Sequence, residues 1–520
     1  MRVRGLIALV GGCVGAVPAA RAQATIDTVI VVSRNVFDPP GRTPRFVARL
    51  GNALHITTHP GVVRRLLLLD AGARIDSAGL VESERALREV GVFRSVRFDT
   101  LRVGDRLALR VETSDGWSTS PQLNFSSAAG STTWSAALVE QNFLGTATFV
   151  SVAYGRNPDR RSFDVQFASP GLFVRHAPLL IAYSDLSDGR LASWTYGVPF
   201  YRADARWSLV TGGEAARHRV LAFTGGALTD SAERRVLTLS VRGGFALQAT
   251  TRGYLRLWGG AALRREDFRP YTTTGVAYSS FGTVGVGIEA ARVRYGVFEH
   301  LNGFGRREDV DLSSALRLGV WAAPRAWGYP GARAGIGPEL EGQFAAQWRA
   351  GFALLRAQTH GVLTPAGADS GLVRASLDLV STRLARQAWL LHLEGGALRR
   401  PKFAEAFDPW LTHNGPRGFG AHAFTGTRLV YVVLEDRVLV SDDLFGVLGV
   451  GAAPYVEYGG AWYAGLEPAR LGGDVGVAVR LGSPRSVRGD VAEIAVSYRF
   501  GDGFSGGPWA LSFRRSYTLK

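Results

Sequence analysis

From Asp115-Gly116-Trp117 onward, apolar and polar residues alternate in segments of about ten residues, and clusters of Gly, Asp, Asn, Pro and Ser separate them. In Ser162–Ala168, Phe163, Val165 and Phe167 lie opposite Asp164 and Gln166. Leu237, Leu239 and Val241 oppose Thr238, Ser240 and Arg242, while Leu316, Leu318 and Val320 oppose Arg317 and Gly319. Near the C-terminus, Val475, Val477, Val479 and Leu481 oppose Asp474, Gly476 and Arg480. Ile494, Val496, Tyr498 and Phe500 likewise oppose Glu493, Ser497 and Arg499. Such a period of two is the mark of strands with one apolar and one polar face. One strand is mixed: Leu255 and Leu257 oppose Arg256, but Tyr254 and Trp258 share the arginine's side. Val284, Val286 and Ile288 occupy even positions, whereas Val293, Tyr295 and Val297 occupy odd ones, which predicts a bulge or slip between them.

Residues Thr25 to Thr113 differ. Thr28–Val32 reads as a short β-branched strand, Val62–Leu68 as a helix packed on one side. In Leu80–Val90, Leu80, Leu87 and Val90 recur at helical spacing, with Asp76 or Ser77 as a cap and Gly91 as the stop. Val92–Phe98 and Arg106–Glu112 alternate as two strands joined around Gly104-Asp105. The order strand, helix, helix, strand, strand suits a small α+β layer with helices on one face of a sheet.

Period-two segments also build soluble sandwiches, so three further observations decide the class. First, the chain opens on a secretory leader: basic Met1–Arg4, apolar Leu6–Val17, and the small-x-small site Ala20-Arg21-Ala22. The mature chain is expected to begin at Gln23. Cys13, the one cysteine, falls in the leader's apolar core, so disulfides have no part in the mature fold. Second, the strand-like run is long enough for about 16 spanning strands with loops. Third, Trp134, Trp194, Trp462, Tyr498 and Trp509 recur near the apolar runs, as interfacial girdles do. No later stretch offers the roughly 18 consecutive apolar residues of a spanning helix. The sequence therefore predicts an all-β transmembrane barrel of about 16 antiparallel strands over residues 115–520, after a small domain at 23–114.

Charge then finds a place. The formal net charge of +16 falls to +13 when Arg2, Arg4 and Arg21 leave with the leader. Arg242, Arg256, Arg317, Arg480 and Arg499 stand on the polar strand faces and are expected to line a wet lumen. An exported chain with inward arginines argues against nucleic acid as a partner.

The small domain, with Asn52–His55, Glu82–Arg85, Leu87-Arg88, Gly91–Phe93 and Val111–Thr113, resembles a polypeptide-transport-associated (POTRA) domain. The whole mature chain resembles the outer-membrane assembly factor superfamily, which comprises barrel insertases and two-partner secretion transporters. The likeness is carried by Asn142–Gly145, the Arg417-Gly418-Phe419 tip, Leu434–Arg437 and Tyr455–Gly459. By itself Gly415–Gly420 reads most simply as a solvated turn. The resemblance implies instead that this loop folds into the lumen, where Arg417 meets the acidic Glu457, with Gly418 turning the backbone and Phe419 packing. Glu435, Arg437 and Gly459 are the supporting barrel residues. The chain departs from the family pattern in three places: Glu457 replaces an aspartate, Pro416 an aliphatic residue, and Lys520 a terminal aromatic. Arg515 also interrupts the apolar face Trp509, Leu511, Phe513, Tyr517 and Leu519 of the closing strand.

What the resemblance implies is a bacterial outer-membrane protein with its small domain in the periplasm. It would insert or translocate unfolded outer-membrane or secreted clients, among outer-membrane lipids and with periplasmic or lipoprotein partners. A two-partner secretion pore, and a passive channel or surface antigen, are the alternatives. No enzyme, metal or cofactor signature stands out: there is no His-Glu-x-x-His and no P-loop. His55 and His59 read as surface or packing residues, and Asp442-Asp443 as a turn.

Overall fold

The computed structural model describes residues 25–38, 43–74, 77–104, 106–128, 131–270, 277–305, 307–331, 333–364, 367–409, 415–466, 468–485, 491–504 and 506–515. The expected leader, the start at Gln23 and the residues Tyr517, Leu519 and Lys520 lie outside them.

The N-terminal domain runs β1 (Thr28–Arg34), α1 (Arg45–Leu54), α2 (Pro60–Leu66), α3 (Ser77–Glu89), β2 (Phe93–Val103) and β3 (Arg106–Asp115). β3 lies in the middle of a three-stranded sheet, parallel to β1 and antiparallel to β2. Leu109 and Val111 of β3 pack against Val62, Val63 and Leu87 of α2 and α3, so the helices cover one sheet face. Burying such side chains contributes roughly 1.5–3 kcal/mol each and gives this short segment its own core. The sequence reading omitted α1. Pro44 precedes it without a side-chain cap, and Gly51 and Asn52 weaken its helical signal. Gly51 is required by packing: a Cβ there would stand 2.4 Å from the Phe37 ring.

The remaining wall is one antiparallel sheet of twenty strands whose ends meet, closing it into a barrel. Its first half contains β4 (Thr119–Ala128), β5 (Ser131–Glu140), β6 (Phe149–Arg156), β7 (Arg161–Ser169), β8 (Leu179–Leu186) and β9 (Gly189–Val198). The longer β10 (Trp207–Thr224), β11 (Ala227–Thr250), β12 (Gly253–Pro270) and β13 (Ala277–Arg292) follow. A separate hairpin, β14 (Tyr295–Glu299) and β15 (Arg307–Asp311), interrupts the wall. The wall resumes with β16 (Ser314–Ala323), β17 (Gly335–Trp348), β18 (Gly351–Thr364), β19 (Gly367–Ser381) and β20 (Gln387–Arg399). It ends with β21 (Arg428–Leu444), β22 (Leu448–Trp462), β23 (Gly472–Gly482), β24 (Val491–Gly501) and β25 (Trp509–Arg515).

Three expectations are corrected here. The strand count is twenty rather than about 16, because β4–β9 are short and tight turns such as 157–160 and 187–188 join them. The phase change after Ile288 is not a bulge. β13 pairs directly with β16, down to Arg292 opposite Ser314, and Tyr295 and Val297 belong to the hairpin that leaves the wall. Asp442-Asp443, read as a turn, lies within the end of β21.

The wall's two faces follow the alternation. Val475, Val477, Val479, Ile494, Val496, Tyr498 and Phe500 are exposed on the outside, while Asp474, Arg480, Glu493 and Arg499 are buried inside. Closure is thin. Among the described residues, β25 and β4 pair through Leu511 opposite Ser127 and Ser512 opposite Ser126. The end carrying the N-terminal domain is called the near rim. There Asp115 accepts from the Thr58 backbone (2.7 Å) and hydroxyl (3.0 Å), lies 3.0 Å from His55 Nε2, and meets Asn142 of the β5–β6 turn at 3.4 Å. His55 is thus a buried packing residue at the domain junction.

Candidate functional site

Between β20 and β21 at the far rim, the described residues 415–420 of the segment 400–427 lie inside the lumen, with Arg417 held on the inner wall. Its backbone N–H donates to Glu457 Oε2 at 2.7 Å, and its Nε–H donates to Glu457 Oε1 at 2.7 Å. Nη2 lies 2.5 Å from the same Oε1 and 2.9 Å from Glu435 Oε2, while Nη1 reaches Glu493 Oε2 at 3.4 Å. The guanidinium carbon sits 3.6 Å from the centroid of the Tyr455 ring, a cation–π contact. All three carboxylates are buried, so the planar fork of arginine is what permits one cation to satisfy them together. Gly418 donates from its backbone N–H to Asp474 Oδ2 at 2.7 Å. A Cβ at this position would lie 2.8 Å from that oxygen, 2.9 Å from Ser497 Oγ and 3.0 Å from Arg499 Cγ. Phe419 packs with Phe424 and Phe504 at centroid distances of 5.1 and 5.7 Å. The tip is therefore a buried plug and not a solvated turn.

Strand register supplies the receiving wall. Glu457 faces Asp474, which faces Arg499. Arg480 faces Glu493, which faces Arg514. Glu435 and Arg437 share the inward face of β21, joined by a 2.6 Å bond from Arg437 Nε. Gly459 sits opposite Tyr431 in the same ladder, outside the polar cluster. The sequence reading named Arg417 and Glu457 as partners and Glu435 and Arg437 as support. It missed that Glu435 and Glu493 bind the same guanidinium, and that Arg514 lies 3.6 Å from Glu457. The period-two faces carried that signal for Glu493, but the register that brings it beside Glu457 emerges only from strand pairing.

A second insert enters from the near rim. The β14–β15 hairpin buries Leu301, Val310 and Leu312 against Phe352, Leu354, Val380 and Leu390 on the inner wall. Arg437 Nη1 donates to the Leu301 carbonyl at 2.7 Å, and Arg480 Nη2 to the Asn302 carbonyl at 3.0 Å. Glu308 accepts from the backbone N–H groups of Asn302 and Gly303 at 2.8 and 2.7 Å, which shapes the hairpin's tip. Its base is held by the N-terminal domain: Arg88 of α3 grips Asp309 at 2.8 and 3.1 Å, and Arg85 stacks 4.0 Å over Tyr295. A continuous polar chain runs from α3 through the hairpin and Arg437 to Glu435 and Arg417. Beside the inserts, a cavity of about 480 Å³ remains, lined by Glu289, Arg317, Gln343, Arg356, Arg374 and His392. Its charges are paired, as in Arg356–Asp378 (3.1 Å) and His392–Asp378 (2.7 Å).

The far end of the segment 400–427 is pinned by His422. Its Nδ1 lies 2.6 Å from Asp408 and its Nε2 2.9 Å from Asp159 of the β6–β7 turn, and the ring stacks on Phe223 at 3.7 Å. Arg160, His218 and Arg219 line the same small cavity. Burial opposes the charged imidazolium, but the hydrogen bonds to Asp159 and Asp408 outweigh it and raise the His422 pKa to about 9. A raised folded-state value means that the contribution is complete below the unfolded value near 6.5 and is lost as pH rises through about 9. Subtilisin is therefore expected to cut within 400–427 much faster at pH 10 than at pH 7, and His422→Phe should remove that difference.

No protein-family model matches the chain, and a search of curated proteins returns no match. Among solved structures, the chain is similar to BamA from Haemophilus ducreyi lacking POTRA domains 1–3. That match has 12% identity and a TM-score of 0.38 and covers 96% of this chain and 84% of that one. It is also similar to CdiB from Escherichia coli, at 12% identity and a TM-score of 0.47, with 94% and 76% covered. The FrpB iron transporter from Neisseria meningitidis aligns at 8% identity and a TM-score of 0.39, with 81% and 86% covered. At these scores superposition alone assigns neither family nor function, and the functional reading rests on the chain's own geometry.

Proposed function

We propose that this chain is a bacterial outer-membrane β-barrel of the assembly-factor type, which helps other proteins insert into or cross that membrane. In this reading the N-terminal domain is a POTRA domain in the periplasm and takes up extended client segments along its free strand edges, β1 and β2. The observation that carries the proposal is the Arg417-Gly418-Phe419 tip folded inside the barrel and held by Glu457. The apolar outer face supports the membrane setting, since a charge on that face would cost roughly 2–4 kcal/mol near the midplane. That β25 meets β4 through two pairs among the described residues supports an insertase, because a weakly paired edge is where a client strand would join.

A secretion pore is the second reading, and the β14–β15 hairpin favours it. A lumen crossed by a removable insert suits a conduit that opens only for cargo. Outer-membrane and medium proteomics after depletion separate the two. Loss of many unrelated barrel proteins supports the insertase, and loss of one secreted protein supports the pore. If neither changes while the reconstituted protein conducts ions, both readings fail in favour of a passive channel.

A further inference from the structure

Helix α1 has one face that no described residue covers. Phe46, Leu50 and Leu54, spaced four residues apart on one stripe, are 73%, 60% and 68% exposed. The opposite face is packed: Ala48 and Gly51 rest on Val36 and Phe37. Arg45 and Arg49 flank the stripe, are exposed, and form no ion pair among the described residues. A short helix with an apolar stripe and basic flanks is the pattern of helices that lie in a membrane interface.

Its attachment puts it where such an interface would be. On its N-terminal side, Arg485 of the β23–β24 turn donates to the Val36 carbonyl (3.2 Å), to Thr43 Oγ1 (3.2 Å) and to the carbonyl of Gly446 in the β21–β22 turn (2.9 Å). On its C-terminal side, Asn142 of the β5–β6 turn donates to the Ile56 carbonyl at 3.0 Å. The helix is thus tied to rim turns on both sides of the β25–β4 seam. Those turns present Phe143, Leu144 and Phe445 as exposed apolar side chains, so the rim that holds the helix is itself apolar.

We propose that α1 is an interfacial anchor: Phe46, Leu50 and Leu54 enter the phospholipid leaflet at the near rim, while Arg45 and Arg49 meet anionic phosphates. A client strand is the poorer occupant. Strand addition needs free backbone donors and acceptors, and those of a helix are already used. The inference rests on the membrane-barrel reading above and adds a lipid contact directly beneath the seam. Anchored there, α1 holds the N-terminal domain against the leaflet beside the β25–β4 seam.

The only cysteine of the chain is Cys13, in the expected leader, so single-cysteine variants of the mature protein label cleanly. Leu50→Cys, Val477→Cys on the outer wall and Arg102→Cys on β2 are each coupled to an environment-sensitive fluorophore. The labelled proteins are reconstituted in phosphatidylcholine vesicles with or without phosphatidylglycerol. Nitroxide lipids carrying the label near the headgroup are expected to quench position 50 strongly, while position 102 stays accessible to aqueous iodide. Phosphatidylglycerol should deepen the quenching at 50, and Arg45→Glu with Arg49→Glu should abolish that increment. If position 477 is quenched by acyl-chain nitroxides and position 50 behaves like 102, α1 does not touch lipid and the inference is overturned. A position 50 shielded from iodide but untouched by lipid quenchers overturns it too, in favour of a protein occupant. If position 477 itself escapes lipid quenching, the barrel reading falls first.

Discussion

Arg417→Ala is expected to free the segment 400–427 and to lower the stability of the barrel more than any other single truncation in the lumen. The substitution leaves Glu457, Glu435 and Glu493 without their shared cation and strips the stacking partner from Tyr455. Removing one partner from a buried ion pair costs about 3–5 kcal/mol, since the remaining charge stays desolvated. Arg480, Arg437 and Arg514 are close enough to take up part of that deficit, so the lower end of the range is expected. In detergent, the heat-induced shift from compact to extended electrophoretic mobility should occur at a lower temperature, and proteases should cut within 400–427. Arg417→Lys should recover only part of the loss, because an ammonium cannot present the planar fork that spans Glu457 and Glu435. Should Arg417→Ala keep both the transition temperature and the protease resistance, the tip is not a lock.

Excising the hairpin is expected to have the largest effect on permeability. Residues 293–313 can be replaced by a two-residue turn, because Arg292 already pairs with Ser314 and the β13–β16 ladder stays whole. Planar-bilayer recordings should then show steady ion flow where the intact protein is quiet. Stability should fall as well. Phe352, Leu354, Val380 and Leu390 lose their cover, and re-exposing each costs roughly 1.5–3 kcal/mol. A gentler variant isolates the link to the N-terminal domain. Arg88→Glu sets like charges against Asp309 and should raise the open fraction, and adding Asp309→Arg should restore closure. A hairpin-free barrel that stays silent would show that this insert is not what blocks the lumen.

How much of this was legible beforehand varied with the range of the interaction. The two faces of β23 and β24 could be read residue by residue, because a period of two follows from backbone geometry alone. Strand number could not: Asn157-Pro158-Asp159 and Ser187-Asp188 mark their turns, but the count also depends on strand and loop lengths. An expectation of about 16 strands allots each more chain than the short β4–β9 use. The hairpin was hidden for a related reason. Tyr295 and Val297 alternate as a wall strand would, and nothing local says that the segment departs inward. α1 was concealed by Gly51, which weakens helical propensity where packing against Phe37 demands it. At the lock, Arg417 and Glu457 came from resemblance to known motifs. The shares of Glu435 and Glu493 awaited the register of four strands, since those residues stand 18 and 76 positions from Arg417.

Arg437 makes one demand of any traffic through the bore. One edge of its guanidinium secures the anchor of the far insert, and the other holds the tip of the near one. Neither obstruction can leave without unsettling the other's fastening. A polypeptide pushing in from either mouth thus meets a single concerted release in place of two successive doors, and dwell times in single-molecule current traces should be distributed as one step.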